Sequence, residues 1–539
     1  MLPSPYHAFA AKAASRPDLP FLIAPACAGL PYAPDGFRIT YGQAAAQIAA
    51  LQAAFGAAGY GHGARVALVL QNRPAFLVHW LALNAIGASI VPINADMRPD
   101  EVRYQLDTAG VDLVVTLPDF ADLVAQGCPK GVPVMQPGDA VPVPARPRAP
   151  RDGQGTDEAA LLFTSGSTGK PKACILSNLY FMHLADWYVN QDDIARVAED
   201  CEVALTPLPL FHMNALGCTC VGMMVRGGAI VPLDRFQPGR WWQTVAESGA
   251  TIVHSLGVIP AILLQLPPGP FDRAHRARFT LGPGVDARHK IDFEARFNLP
   301  IIEGWAMTET GGSGVTSTAG ISYPPGLRCI GVPRAGVEVR IVDDAGADVA
   351  ADVPGELLVR AAGDDPRFGF FSGYLGDPAA TEEAWQGGWF HTGDIVSRDR
   401  AGLLYFVDRK KSIVRRSGEN ISALEVEAAL VADPAVTAAA VTPVPDALRG
   451  EEVFAFIVTD GATDDAAALA LVSRVAQRLS YHKLPGHIAF TSELPVSSTQ
   501  KLQRGTLKTL AQAALDSGAA IDLTARKAGF RNISGKDKP

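Results

Sequence analysis

Residues 164–172 read Thr-Ser-Gly-Ser-Thr-Gly-Lys-Pro-Lys, which puts two glycines, four hydroxyls and two lysines into nine residues. Glycine allows positive φ and close approach of the backbone to a ligand. Hydroxyls, exposed N–H groups and ammonium groups together suit a polyphosphate. The apolar runs 160–163 and 173–176 on either side read as strands, so the spacing predicts a hairpin tip. A Walker-type loop does not fit, because Gly166 and Gly169 are three apart and Pro171 follows Lys170.

Four further stretches carry chemistry. In Gly304-Trp-Ala-Met-Thr-Glu-Thr310, Trp305 could cover a purine, Thr308 could bond a phosphate, and Glu309 could hold Mg²⁺, which favours carboxylate plus phosphate oxygens. Asp394 follows Gly393 on a tight turn, where a carboxylate can accept two ribose hydroxyls. In 408–420, Arg409 offers a rigid fork of donors and Gly418 permits extended backbone beside a thin ligand. Lys501, in a small-polar stretch, supplies an ammonium that can neutralise developing phosphoryl charge. Taken singly, each has an ordinary alternative: a polar hairpin tip, a capped helix start, a Gly–Asp turn, a charged linker, a surface lysine.

These residues must be positioned by a chain of 539 residues, 48% hydrophobic, which is too long for one core and points to two or more domains. The net charge of −8 and the lack of a long basic run give a nucleic-acid partner no support. Seven scattered cysteines without a C-x-x-C pair argue against a zinc or disulfide framework and fit a reducing, cytoplasmic setting. Met1-Leu-Pro-Ser-Pro has no signal-peptide pattern. The apolar stretches 75–91 and 216–233 are broken by polar residues and read as buried helix and strand, so no transmembrane segment is expected.

Residues 40–135 alternate helical and β-branched patterns, with strands at 66–70 and 111–115 and a helix at 99–107, the rhythm of a layered α/β domain. The proline-rich 141–150 reads as a stiff extended connector. More α/β rhythm fills 200–330, and short alternating strands at 337–342, 355–359 and 403–407 suggest an antiparallel β subdomain. A smaller α+β pattern follows, with helices at 423–431 and 466–480 and a strand at 453–458. The expected fold class is therefore α/β plus α+β, with a large domain over 1–408, a small one over 409–539, and polar, loose residues from about 515.

Taken together and in order, these stretches resemble the AMP-forming acyl-CoA synthetases of the adenylate-forming superfamily, over roughly residues 40–508. Pro209-Leu-Phe-His212, 307–309, 392–394, Arg409, 418–420 and Lys501 fall in that family's order. The resemblance implies ATP, Mg²⁺ and CoA, and a reaction in two halves. A carboxylic acid attacks the α-phosphate to give acyl-AMP and pyrophosphate, and a thiol then displaces AMP. It assigns Thr164, Ser165, Gly166, Ser167, Thr168, Gly169, Lys172, Gly304, Trp305, Asp394 and Arg409 to the nucleotide. Thr308, Glu309 and Lys501 become catalytic, with Glu309 on the metal. His212, Met213, Val258, Gly282, Gly284 and Ala306 line the acyl pocket, Gly418 and Glu419 the CoA tunnel, and Lys411 is the hinge of a mobile C-terminal lid. A short, medium or small functionalised acid is expected. Transfer to a carrier-protein pantetheine instead of CoA stays open, as does a homodimer. The chain departs from the family pattern at Gln500, Asn178, Trp305-Ala306 and Gly282-Pro-Gly284. Lys501→Ala is expected to slow acid-dependent pyrophosphate release about 10²–10³-fold, as loss of a transition-state electrostatic contact does. Near-normal release would remove Lys501 from the chemistry.

Overall fold

Parallel strands cannot be joined by hairpins, so a chain that builds them must send helices across their faces and bury both sides. The computed structural model describes residues 1–164, 171–285, 287–416, 419–446, 449–479, 481–496, 502–527 and 530, and it follows this rule. The chain divides into one unit formed by 1–340, 358–392 and 398–405, and a second formed by 341–357, 393–397 and 406–539.

The first unit contains two seven-stranded sheets. One runs in the order β13 (Ile301–Ile302), β12 (Phe279–Leu281), β11 (Ile252–His254), β9 (Val203–Thr206), β10 (Ala229–Pro232), β1 (Pro20–Ala24), β2 (Phe37–Thr40), with only β2 antiparallel to its neighbour. The other runs β19 (Gly373–Tyr374), β8 (Lys172–Ser177), β7 (Glu158–Thr164), β4 (Ser89–Pro92), β3 (Arg65–Val69), β5 (Leu113–Thr116), β6 (Val134–Met135). It is parallel from β7 to β6 and antiparallel where β8 meets β7 and β19. Strands β4, β5 and β10 are buried along their length, as parallel strands covered on both faces must be.

The helix Pro74–Asn84 is buried from Phe76 onward, and its sequence is accordingly apolar all round. Its buried Asn84 is satisfied at both ends, donating to Asn178 Oδ1 at 2.7 Å and accepting from Tyr6 N–H at 3.1 Å. With β4 this accounts for the apolar run 75–91 without a membrane. Among the described residues no helix is long and apolar enough to cross one.

The proline-rich connector has no regular structure, as expected, but it is docked. Arg148 N–H donates to Gly59 O at 2.7 Å, and His62 N–H donates to Ala149 O at 3.0 Å. A Cβ on Gly61 would lie 2.2 Å from the Ala149 carbonyl, so only glycine lets the strap seat there.

A short antiparallel ladder follows β13: β14 (Gly304–Trp305) pairs with β15 (Thr316–Ser317), β15 with β16 (Cys329–Pro333), and β16 with β21 (Leu404–Arg409). Strands β17 (Val337–Val342) and β18 (Gly355–Ala361) supply the short strands expected at 337–342 and 355–359, β21 supplies the one at 403–407, and β20 (Phe390–Arg398) is a further strand that the sequence reading did not include.

In the second unit the sheet order is β23 (Glu419–Ser422), β22 (Ile413–Arg416), β25 (Gly450–Val458), β26 (His487–Phe490), β27 (Ile521–Asp522), with β24 (Ala438–Asp446) also paired to β25. The helix Ala423–Val431 has the bounds read from the sequence. Ser422 caps it, accepting from Glu425 N–H. The helix expected over 466–480 stops at Val475, although Ala476 and Leu479 beyond it stay buried in the same core cluster.

Residues 515–527 are not loose. Helix Arg504–Asp516 and β27 carry them back onto the sheet, and Leu523 is buried there. Lys527 is also buried, donating to Glu452 Oε1 and to Leu484 O, both at 2.6 Å. Arg416 Nε donates to the other oxygen of Glu452 at 2.8 Å. Composition hid this anchor, because the carboxylate that pairs with Lys527 lies 75 residues away. Burial pulls the Lys527 ammonium down to about 8 against the pull of Glu452.

Two buried cations share one buried carboxylate here. Glu452→Gln strands both cations and is expected to destabilise the second unit by about 3–5 kcal/mol. Lys527→Met keeps the Arg416–Glu452 pair and is expected to cost less than half of that. Chemical denaturation of the three proteins, followed by a probe placed in the second unit, checks the order.

Candidate active site

Strands β13, β12, β11 and β9 are parallel neighbours, so the chain leaves all four at the same edge of the sheet. The segments released there are 303–306, 282–285, 255–258 and 207–214. In open α/β sheets this carboxyl edge is where ligands bind. The acyl-pocket residues expected from sequence belong to these segments, which are tied to one another. Ser255 N–H donates to Leu281 O at 2.9 Å, and its hydroxyl lies 3.0 Å from that of Thr280. A Cβ on Gly257 would sit 2.3 Å from Gly284 O, so these two segments touch backbone to backbone.

The tie between 282–285 and 303–306 is a carboxyl group. Gly284 N–H donates to Glu303 Oε1, while Glu303 N–H donates to the Thr318 hydroxyl at 2.9 Å. Glu303 is 8% exposed. Burial pushes its carboxyl up to about 7, opposed by the Gly284 N–H and by the charge of Arg328. Sequence reading passed over Glu303, although it directly precedes the Gly304 motif.

Glu309 is buried in the next turn. Its Oε1 accepts from the Tyr374 hydroxyl at 3.0 Å and from the Thr164 hydroxyl at 3.3 Å. Thr164 ends β7 and Lys172 begins β8, and these two residues are register partners at the base of the hairpin. Lys172 Nζ lies 4.8 Å over the Tyr374 ring and 3.8 Å from the Asp377 carboxylate. One leg of the hairpin therefore meets Tyr374 through Lys172, and the other meets Glu309 through Thr164. Burial and the Glu309 charge together raise the Tyr374 hydroxyl well above the usual phenol range, so it remains a donor.

Below them Cys174 is fully buried, and burial raises its thiol too. The 307–311 turn is pinned by Thr310, whose hydroxyl accepts from Met307 N–H at 3.0 Å. Gly311 takes φ +52° with the Tyr180 ring 2.4 Å from where a Cβ would stand, so a side chain is excluded on both counts. The Tyr180 hydroxyl in turn reaches Met213 Sδ at 3.6 Å, linking this turn to the 207–214 segment.

Among the described residues no cluster of three or more His, Cys, Asp or Glu could cage a metal by itself. That suits Mg²⁺, which binds through one or two carboxylates and takes its remaining ligands from phosphate and water. Glu309, with two hydroxyls fixing one of its oxygens, has the chemistry to be that carboxylate.

The other expected residues fall as follows. His212 packs its ring against Phe211 at 4.7 Å between centroids. Gly304 and Trp305 form β14, where Trp305 pairs with Thr316 and is buried, while Thr308 and Ala306 are partly exposed. Val258 opens the helix Val258–Gln265, Lys411 lies in the turn Lys410–Ser412, and Glu419 opens β23. In the second unit Asp394 is fully buried, with Oδ1 2.7 Å from Nε of the half-exposed Arg409. The two residues expected on the ribose are thus each other's partners. Beside them Glu356 accepts from Gly393 N–H at 3.2 Å and from Lys410 at 2.7 Å. Ser165, Gly166, Ser167, Thr168, Gly169, Gly418 and Lys501 lie outside the described residues.

Tyr374 is the member of this cluster that sequence reasoning missed without any signal, 65 residues from the carboxylate to which it donates. Glu303 yields a pH test. Its carboxyl is raised from 4.5 to about 7, so the folded state binds the proton more tightly than the unfolded chain. The stability it contributes is complete below about pH 4.5 and is lost as pH rises through about 7. Glu303→Gln, neutral at every pH, is expected to be more stable than wild type by roughly 3 kcal/mol above neutrality and nearly equal to it at low pH. Urea titrations across that range check the sign.

Comparison with known proteins agrees with this geometry. The family model for AMP-binding enzymes matches residues 9–375, and that for the AMP-binding enzyme C-terminal domain matches 425–501. The sulfoacetate–CoA ligase of Cupriavidus necator is 32% identical over 92% of this chain and 95% of its own. A feruloyl-CoA synthase from an Amycolatopsis species is 31% identical over 88% and 94%. The solved structure of ATP-bound MatB from Rhodopseudomonas palustris superposes with a TM-score of 0.76 at 25% identity, over 94% of this chain and 98% of that one. Matched along nearly its whole length in sequence and in fold, the chain belongs to the AMP-binding enzyme family and is an AMP-forming carboxylate–CoA ligase.

Proposed function

We propose that this ligase activates a short, medium or small functionalised carboxylic acid, with the residue roles set out below. The observation that carries the reading is Glu309, fixed by Thr164 and Tyr374 at the base of the glycine-rich hairpin. A free carboxylate is a poor acyl donor, and joining it to AMP creates a good leaving group. In the first half-reaction an oxygen of the acid forms a bond to the α-phosphorus and the bond to pyrophosphate breaks. The enzyme's part is positioning and charge neutralisation. Hairpin 164–172 cradles the phosphates, Thr308 donates to a phosphate oxygen, and Lys501 neutralises charge as pyrophosphate departs. Bound Mg²⁺ would be held by Glu309 and would screen the phosphate charges. Asp394 and Arg409 hold the ribose.

In the second half-reaction the CoA sulfur bonds to the acyl carbon and AMP leaves. Residues 409–539 act as a mobile lid that turns about Lys411, first presenting Lys501 and then the 418–419 segment. His212, Met213, Val258, Gly282, Gly284 and Ala306 line the acyl pocket.

A functionalised acid is favoured by the relatives. Sulfoacetate, ferulate and carnitine, the acids in the names of three ligases similar to this chain, each carry a polar group besides the carboxylate. A cytoplasmic location belongs to the same reading, supported by seven cysteines that are all unpaired.

The test is a screen of carboxylic acids with Mg²⁺ and ATP, with and without CoA. Acid-dependent pyrophosphate is expected in both arms, and AMP with the acyl-CoA thioester only when CoA is present. Cleavage to ADP, or turnover that ignores the acid, would overturn the reading.

A further inference from the structure

Asn214 opens a π-wound stretch, Asn214–Val221, directly after His212 and Met213. The seven residues that follow it are buried, and Asn214 itself is partly exposed. Its Oδ1 lies 2.8 Å from Nδ1 of His254, the last residue of β11. His254 is fully buried, with Nε2 2.7 Å from the Tyr188 hydroxyl and Nδ1 also 3.2 Å from the Thr219 hydroxyl.

The direction of this relay can be worked out. Burial pulls the imidazole down to about 3, so the ring is neutral and carries one N–H. An amide oxygen can only accept, which puts the proton on Nδ1. The bare Nε2 then accepts from the buried Tyr188 hydroxyl. The opposite tautomer would face bare Nδ1 with Oδ1 and leave the Tyr188 proton without an acceptor among the described residues. With Oδ1 turned inward to His254, the Nδ2 donors of Asn214 are left on the partly exposed side. No described residue accepts from them.

A pocket for a plain alkyl chain gains nothing from such a relay, because each buried polar group costs free energy unless it is paired. The charge around it narrows the occupant. Segments 209–214, 255–258, 282–285 and 303–306 contain no lysine or arginine, and Glu303 adds a carboxyl group. An anionic group on the substrate would find no counter-charge from them.

We propose that Asn214, oriented by His254 and Tyr188, is a specificity residue whose Nδ2 donates a hydrogen bond to an uncharged oxygen (hydroxyl, ether or carbonyl) carried by the acid beyond its carboxylate. This rests on the acyl-pocket reading above. It selects within the functionalised acids, against both the purely aliphatic and the doubly anionic.

The test uses matched pairs of acids that differ by one oxygen function, such as 4-hydroxycinnamate against cinnamate and hydroxylated against plain straight-chain acids. The readout is the ratio of kcat/KM within a pair, measured on one enzyme preparation so that folding losses cancel. Wild type is expected to favour the oxygen-bearing member of at least one pair by about tenfold or more. Asn214→Leu is expected to bring that ratio close to one. Tyr188→Phe, which releases the tautomer and keeps the ring, is expected to give an intermediate ratio. A preference that survives Asn214→Leu, or a wild type that favours the plain member of every pair, overturns the inference and leaves the ligase assignment standing. No acid-dependent pyrophosphate with any acid overturns the ligase reading and the inference together.

Discussion

Where four parallel strands stop at one edge, their backbones leave the ladder together, and each freed N–H and C=O must find a new partner. In this molecule the strand ends and the loops that follow them supply those partners. Leu281 O takes the Ser255 N–H, Ile302 O takes the Gly282 N–H, and the Glu303 carboxyl takes the Gly284 N–H. Glycine at 257 and 282 lets these segments lie closer than any side chain would permit. The crevice is therefore an outcome of strand order. Once β13, β12, β11 and β9 are neighbours, the loops that follow them are committed to the same place.

Glu303 and Glu309 show how two carboxyl groups of one short segment diverge by environment. Glu303 is met by a backbone N–H in an apolar setting and holds its proton up to about neutral pH. Glu309 is met by two hydroxyls at the mouth of the hairpin. In the proposed reaction, a chemistry that gathers phosphate and metal charge needs a carboxylate at that spot. Glu303 ties two loops of the scaffold together, and the proposed role of Glu309 is toward the ligand.

Local pattern made much of this legible. The hairpin around 164–172 follows from two apolar runs flanking turn residues, and helix 423–431 from its apolar period and Ser422 cap. The order of short motifs carried the chemistry. What stayed hidden depends on contacts far apart in the chain. Tyr374 has no motif around it and acquires meaning only when β19 joins β8. Lys527 looks like part of a polar tail until Glu452 is beside it. The 141–150 strap has the composition of a free linker, and its backbone bonds to Gly59 and His62, with the carbonyl packed on Gly61, show that it is fixed. The apolar period runs on past Val475 into Ala476 and Leu479, which stay in the core although the helix has ended, so periodicity alone overshoots the helix.

The π-wound stretch after Met213 has an evolutionary implication. A turn closed by i→i+5 bonds holds one residue more than an α-turn over the same span. Removing a single residue would let the stretch relax to ordinary α pitch with its flanks kept in register, moving the residues within it along by one place. A ligase could thus swap the group presented at position 214 by a one-codon deletion, with the strands on either side undisturbed. Indels here would retune substrate choice in one step, where point changes would need several.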